Sequence, residues 1–299
     1  MPASIARAAR SALAVFRRQS STSAAHPPPL FFTAGAGAGA RYISPWHDIP
    51  LSSAGANPAI FNFVCEIPRG TRAKFEIDTG ARLNAIVQDS TKAGAPRSYA
   101  LDSLVNYGAL PQTYEDPAHV DAWARAPGDG DPLDVCEIGG ARPAATGDAY
   151  AVKVIGALAM LDGGECDWKL LAVRTDDPLA AAVDDVTAAA APDGVKRAAD
   201  AVREWFRTYK IPEGKGENDF AFGGAWLDVH TTLQIVAATH KQWRDALARP
   251  AAAGGKGPWL PQAGWAPPHA HAFAPAKGAA ALAGLATTRT PPEWGQKAA

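Results

Sequence analysis

The chain has 299 residues, 47% of them hydrophobic, with a formal net charge of −1. This is long enough for one large domain or two small ones with a sizeable core. The balanced charge gives no sign of a nucleic-acid partner, and no apolar run approaches the ~18 residues of a membrane span.

From Met1 to His47 there is no Asp or Glu, while Arg7, Arg10, Arg17, Arg18 and Arg41 stand among many Ala and Ser. On a helix the first four arginines gather roughly on one side, and Ile5, Leu13 and Phe16 lie mainly on others. This acid-poor, amphipathic pattern is that of an organelle transit peptide, for the mitochondrial matrix or the chloroplast stroma. The stretch TAGAGAGA at 33–40 reads as a flexible linker. No strand precedes its G-x-G, so a dinucleotide loop is excluded. Residues 1–41 are thus read as transit peptide and linker.

Regular sequence runs from 42 to 249. In AKFEID, Ala73, Phe75 and Ile77 alternate with Lys74, Glu76 and Asp78, the period of a half-buried strand. Residues 150–161 and 168–173 read as further strands. Val195, Ala198, Val202, Trp205/Phe206 and Tyr209 recur at helical spacing, predicting a helix over ~194–209. Val229, Leu233, Val236, His240, Trp243 and Leu247 mark a second helix, with His240 as a core histidine. Strands first and helices after imply an α+β, mainly β domain built on a barrel or curled antiparallel sheet. Residues 250–299 are rich in Ala, Gly and Pro and read as a low-complexity tail, in which His269 and His271 are incidental.

The chemistry lies in PGDGDPLDVCEIGG, residues 127–140. Asp129 and Asp131 share a face of an extended segment, and Asp134 returns to the same space after Pro132. Three ionised carboxylates so close need a counter-charge, and an all-oxygen set calls for a hard cation such as Mg²⁺, Mn²⁺ or Ca²⁺, although the trio taken alone also fits a charged surface turn. An EF-hand is excluded, because its sixth and twelfth positions would be Asp134 and Gly140. A second acidic set, Asp162 and Asp167 with Lys169, flanks a Gly-Gly turn. A third is Glu66, Lys74 and Glu76. Tyr209 and Lys210 end the first helix before Pro212. Taken together, the carboxylates call for more than one metal, and the lysines and tyrosines call for an oxygen-rich anion, with phosphate the obvious candidate. Three cysteines, Cys65, Cys136 and Cys166, with no C-x-x-C, exclude a disulfide framework and a zinc ribbon. Thiolates do not suit Mg²⁺, so all three are read as packing residues in a reducing compartment.

The segment DGDPLDV at 129–135 resembles the signature of the family I soluble inorganic pyrophosphatases. YISPWHDIPL at 42–51, EIPRGTRAKFEI at 66–77, NYGALPQTYEDP at 106–117, LDGGECDWK at 161–169 and EWFRTYKIPEGKGEN at 204–218 resemble the eukaryotic branch in the same order. The resemblance covers about Tyr42 to Leu247. It implies a five-stranded, OB-like closed β-barrel flanked by α-helices, and the composition of the two ends of the chain marks them as disordered additions to it. It also implies Mg²⁺-dependent hydrolysis of pyrophosphate to two phosphates, several ions per site, and a homodimer. By resemblance, Asp129, Asp134 and Asp167 hold a first metal. Asp131 with Asp134 holds a second, and Asp131 accepts a proton from the attacking water. Asp162 and Asp167 hold a metal that arrives with substrate, Glu76 holds another, and Glu66 acts through water. Lys74, Lys169, Tyr209, Lys210 and Arg97 match phosphate-binding groups. Tyr107 matches the tyrosine that orients the catalytic acid.

Two departures stand out. Ser103 occupies the place of a second family tyrosine, in a segment from Arg97 to Tyr107 that is several residues short. Gly70 stands where the branch usually has tryptophan. The first departure removes a phosphate contact, puts Arg97's role in question, and motivates an alternative reading as a weakened or non-catalytic scaffold or regulatory subunit.

Overall fold

The computed structural model describes residues 25–35, 39–53, 57–249 and 282–292. Residues 1–24 of the expected transit segment, and His269 and His271 of the expected tail, lie outside them. Among the described residues the fold is mainly β, with two longer helices.

The strands are β1 (Phe31–Ala34), β2 (Arg41–Ile43), β3 (Ile60–Ile67), β4 (Phe75–Ile77), β5 (Ile86–Gln88), β6 (Asn106–Ala109), β7 (Asp134–Glu137), β8 (Ala149–Asp162), β9 (Glu165–Arg174), β10 (Asp219–Phe220) and β11 (Leu285–Thr288). The main sheet runs β10-β8-β3-β6-β7-β9, and β8 also pairs with β9, so the pairings return to where they began. All these pairs are antiparallel except β7 with β9, where Asp134 stands opposite Lys169. The expected strand at 73–78 is shorter, β4 alone, paired with β5.

The long β8 is buried on both faces. Val152 and Val154 face one core cluster, as do Ala157 and Ala159, while Ile155 and Met160 face another. The change of parity falls at a register shift between Val154 and Gly156, as a β-bulge requires. A side chain at Gly156 would meet Val186 at 2.5 Å and the Leu227 carbonyl at 2.9 Å. The β8–β9 hairpin turns on Gly163 and Gly164, with φ of 63° and 96°. Two consecutive positive φ angles are what a two-residue hairpin turn demands.

Helix α1 (Asp193–Thr208) packs Val195, Ala199, Val202 and Phe206 onto the second cluster, the 4-3-4 spacing of an amphipathic helix. Helix α2 (Val229–Leu247) is capped by Asp228, whose side chain accepts from the Thr231 N–H at 2.7 Å. It sends Ile235 and Val236 to the first cluster and Trp243 to a third. His240 stacks on Trp243 and hydrogen-bonds the Gln112 carbonyl at 2.6 Å, a packing role. Cys65, Cys136 and Cys166 are buried and free.

The two ends depart from expectation. Strand β1 lies between β2 and β11 in a three-stranded sheet. Phe32 is 1% exposed, and Leu30, Phe32, Leu282 and Leu285 join the third core cluster. The expectation of structureless ends therefore fails at Phe31–Ala34 and Leu285–Thr288. Each strand is too short and too Ala- and Thr-rich to show a period of its own, and pairing supplies what composition hides. Deleting residues 283–299 is expected to lower the melting temperature by about 3–6 °C in a calorimetric scan, from lost pairing and apolar contact.

Candidate active site

A cavity of about 240 Å³ opens at one end of the main sheet, and all thirteen residues singled out in the sequence line it. The turn before β7 brings in Asp129 and Asp131. Its backbone is laid against residues 115–116, with the Gly130 N–H donating to the Glu115 carbonyl and the Glu115 N–H to the Asp131 carbonyl, both at 2.9 Å. A side chain at Gly128 would stand 2.2 Å from that same carbonyl, so only glycine permits the approach. Asp131 donates its N–H to the Asp129 carboxylate at 3.0 Å, which tightens the turn. Asp134 opens β7. The Gly-Gly hairpin tip contributes Asp162, Glu165 and Asp167.

Lys169 is the hub. It is 2% exposed and donates to both Asp134 and Asp167, and lies 3.1 Å from the Tyr107 hydroxyl. The parallel register of β7 and β9 sets the first of these contacts. Tyr107 donates to Asp134. Its hydroxyl therefore bonds Asp134 and not Asp131: in the β6–β7 register Tyr107 stands opposite Cys136, two residues from Asp134 on the same face. Asp131 instead lies 3.4 Å from the Thr79 hydroxyl. Glu66, 4% exposed, accepts from the Ile77 N–H at 2.7 Å.

Every cationic group at the cavity is paired with a carboxylate. Lys74 bonds Glu76 and lies 3.1 Å from Asp89. Lys210 bonds Asp162. Arg97 reaches Asp89 at 2.9 Å and Glu213 at 3.1 Å. Even so, the site is short of positive charge. Burial, reinforced by Asp167 and Asp131, pushes the Asp129 carboxyl well up. Burial pushes Asp167 up to about 7 against the pull of Lys169, with Asp134 adding to the rise. Asp131 is also pushed up to about 7, by loss of solvation within the acidic wall and then by Glu76 and Asp134.

Three residues escaped the sequence reading. Glu115 is 3% exposed; one oxygen accepts from the Trp168 N–H at 3.0 Å, and the other, Oε2, is buried with no partner. Its carboxylate, with those of Asp129 and Asp167, presents oxygens all within 4.8 Å of one another. An orphaned buried oxygen beside two further carboxylates is a hard-donor set suited to a divalent cation such as Mg²⁺. Glu115 lies inside the quoted NYGALPQTYEDP block, yet nothing local marks it; only the backbone pairing with Gly130 brings it in. Glu165 and Tyr99 line the cavity itself, whereas Glu115 sits behind it, beside Asp129 and Asp167. Ser103 does not line it. It is buried, and its Oγ donates to the Val105 carbonyl at 2.8 Å. Gly70 has φ of 77°, a region where glycine is at ease.

Residues 63–244 match the family model described as inorganic pyrophosphatase. The chain is 44% identical over 213 residues to the inorganic pyrophosphatase of Homo sapiens, covering 68% of this chain and 70% of that one. It is 44% identical over 207 residues to soluble inorganic pyrophosphatase 1, chloroplastic, of Chlamydomonas reinhardtii, covering 69% and 71%. Among solved structures it resembles an N-terminally truncated Trypanosoma cruzi vacuolar soluble pyrophosphatase in complex with PPi, with a TM-score of 0.66 and 36% identity over 75% of this chain and 93% of that one.

Proposed function

This chain belongs to the inorganic pyrophosphatase family, and on that premise we propose that it hydrolyses inorganic pyrophosphate to two orthophosphates, with Mg²⁺ as its metal. The observation that carries the reading is the cavity itself. Carboxylates in excess of the cations around them share one wall with three lysines, an arginine and tyrosines, the pairing needed to hold metal and polyanion together.

Asp129, Asp134 and Asp167, joined by Glu115, would hold one ion, and Asp131 with Asp134 a second. Asp162 with Asp167, and Glu76, would hold substrate-side ions, with Glu66 acting through water. When bound, the ions supply positive charge against the substrate and make a water acidic enough to attack near neutral pH. Asp131 would take the proton of that water. Tyr107 and Lys169 fix the Asp134 carboxylate between them, so a ligand's orientation is set by the β6–β7–β9 register. Lys169, Lys210 and Lys74 would face phosphate oxygens once Asp134, Asp167, Asp162 and Glu76 serve as ligands, and Arg97, held by Asp89 and Glu213, and Tyr209 would meet the same anion; together they would stabilise charge on the leaving phosphate. The non-catalytic alternative has no support, since Ser103 lies outside the cavity and each expected acid and cation lines it.

The circuit of strand pairings supports a five-stranded OB-like closed barrel as the frame of a 42–249 pyrophosphatase domain, with β1 and β11 strapped on from outside that span. A homodimer belongs to the same reading and is checked by light scattering. The acid-free, arginine-bearing N-terminus and the chloroplastic relative support delivery to an organelle. Because Phe32 is buried in the third core cluster, processing should leave a mature N-terminus before residue 30, which N-terminal sequencing of the organellar protein would read. The function itself is tested by phosphate release from pyrophosphate on the purified chain with Mg²⁺ and with Ca²⁺. No release with Mg²⁺ would end the reading.

A further inference from the structure

Tyr99 lies in the shortened segment between Arg97 and Tyr107. It is 5% exposed, lines the cavity, and stands near Lys169 and Arg97 on one hand and the acids Asp134 and Glu66 on the other. Its backbone is fixed: its N–H donates to the Arg72 carbonyl at 2.8 Å, and two residues earlier the Arg97 carbonyl accepts from the Lys74 N–H at 3.1 Å. The shortened loop is thus laid along the segment that carries Lys74. The ring is held edge-on by two aromatics of α1 and its C-terminal end. Its centroid lies 4.9 Å from that of Trp205, at 88°, and 5.7 Å from that of Tyr209, at 83°.

The hydroxyl, by contrast, makes no hydrogen bond to any described residue. The neighbouring Tyr107 hydroxyl is committed to Asp134 and lies within reach of Lys169. The ring is buried while the hydroxyl reaches open space at the cavity, so its O–H is left to water or to a ligand that enters. Burial raises the phenol's pKa above its usual value, so the group remains a donor at neutral pH. The wall it shares already gathers cations suited to an anion rich in oxygens.

We infer that Tyr99 is a substrate-binding residue whose phenolic O–H donates to a phosphate oxygen of pyrophosphate, and of the orthophosphate product. This rests on the pyrophosphate reading and adds a contact to it. The competing role is packing alone, with the ring filling space against Trp205 and Tyr209.

Tyr99→Phe separates the two, because it keeps the ring and removes only the hydroxyl. The full chain, with Mg²⁺, is titrated calorimetrically with inorganic phosphate and assayed for pyrophosphate turnover. The expected result is a Kd for phosphate and a KM for pyrophosphate each raised about tenfold, the scale of one hydrogen bond to a charged acceptor. The melting temperature should stay at the parent's value. Unchanged phosphate affinity in Tyr99→Phe, with Tyr99→Leu lowering the melting temperature, would leave packing as the role and overturn the inference. If the parent hydrolyses pyrophosphate while Tyr99→Phe matches it in both constants, only this inference fails. If the parent binds phosphate but releases none from pyrophosphate, the hydrolytic reading fails, and the difference in phosphate affinity still decides Tyr99. A parent that neither binds phosphate nor releases it from pyrophosphate overturns both, and one that turns pyrophosphate over without binding phosphate leaves the KM difference to decide Tyr99.

Discussion

Asp131→Asn is expected to lower kcat for pyrophosphate by about a thousandfold, within the ~10²–10⁴ range that a positioned proton acceptor contributes. The amide keeps the size and can still offer one oxygen, but it cannot accept the proton of the attacking water. The loss should be in turnover rather than in folding. In the ion-free protein the Asp131 carboxyl is held up at about 7 by loss of solvation and by Glu76 and Asp134, so its charge works against the folded state at neutral pH. Removing that charge should raise the melting temperature of the ion-free protein above pH 7, not lower it. A steady-state assay and a melting curve on the same preparation check both parts. Turnover within about tenfold of the parent would mean that another group takes the proton.

Removing divalent ions should abolish phosphate release, and its effect on stability should depend on pH in a defined direction. Asp131 and Asp167 are both pushed up to about 7, and burial raises Asp129, Glu115 and Glu66 as well. A carboxyl with a folded pKa above its unfolded value of roughly 4 holds its proton more tightly when folded. The stability it contributes is complete below roughly pH 4 and is lost as the pH rises through the folded pKa, about 7 for Asp131 and Asp167. Asp89, Asp116 and Asp177 are shifted the other way, so their contribution is lost only on acidification below roughly pH 4. Between roughly pH 5 and 7.5 the raised groups dominate, and the chelated protein should melt at progressively lower temperature. Saturating Mg²⁺ at pH 7.5 should restore about 5–10 °C, the scale of ligand linkage at ~100 Kd in a domain of this size. At pH 5.5, where protons compete for the ligands, Mg²⁺ should restore much less. A melting temperature indifferent to Mg²⁺ at both pH values would remove the metal from this cavity.

Local pattern carried a good part of the molecule. The 3.6-residue spacing of Val195, Val202 and Phe206 located α1, and that of Val229, Val236 and Trp243 located α2, because a helix closes its hydrogen bonds within its own segment. The apolar run at 150–161 and the Gly-Gly turn located the β8–β9 hairpin for the same reason. The acid-rich blocks marked the cavity wall, since like charges rarely crowd without a counter-ion nearby. Other features depend on partners far away in the chain. The short β6, β7 and β11 carry no period long enough to read, and each exists because another strand satisfies its backbone. Glu115 enters the site through the backbone of residues 128–131, and Tyr107 bonds Asp134 because β6 and β7 meet in that register. Tyr99 reaches the cavity because the loop after Arg97 folds back along Arg72 and Lys74. The sequence by itself determined the acid-rich and basic blocks from which the site is built, though not Glu115 or Glu165, because charge and spacing are local properties of the chain. Only the tertiary structure decided which carboxylate faces which cation and which hydroxyl stands free, because those contacts follow from strand register and loop closure between residues distant in sequence.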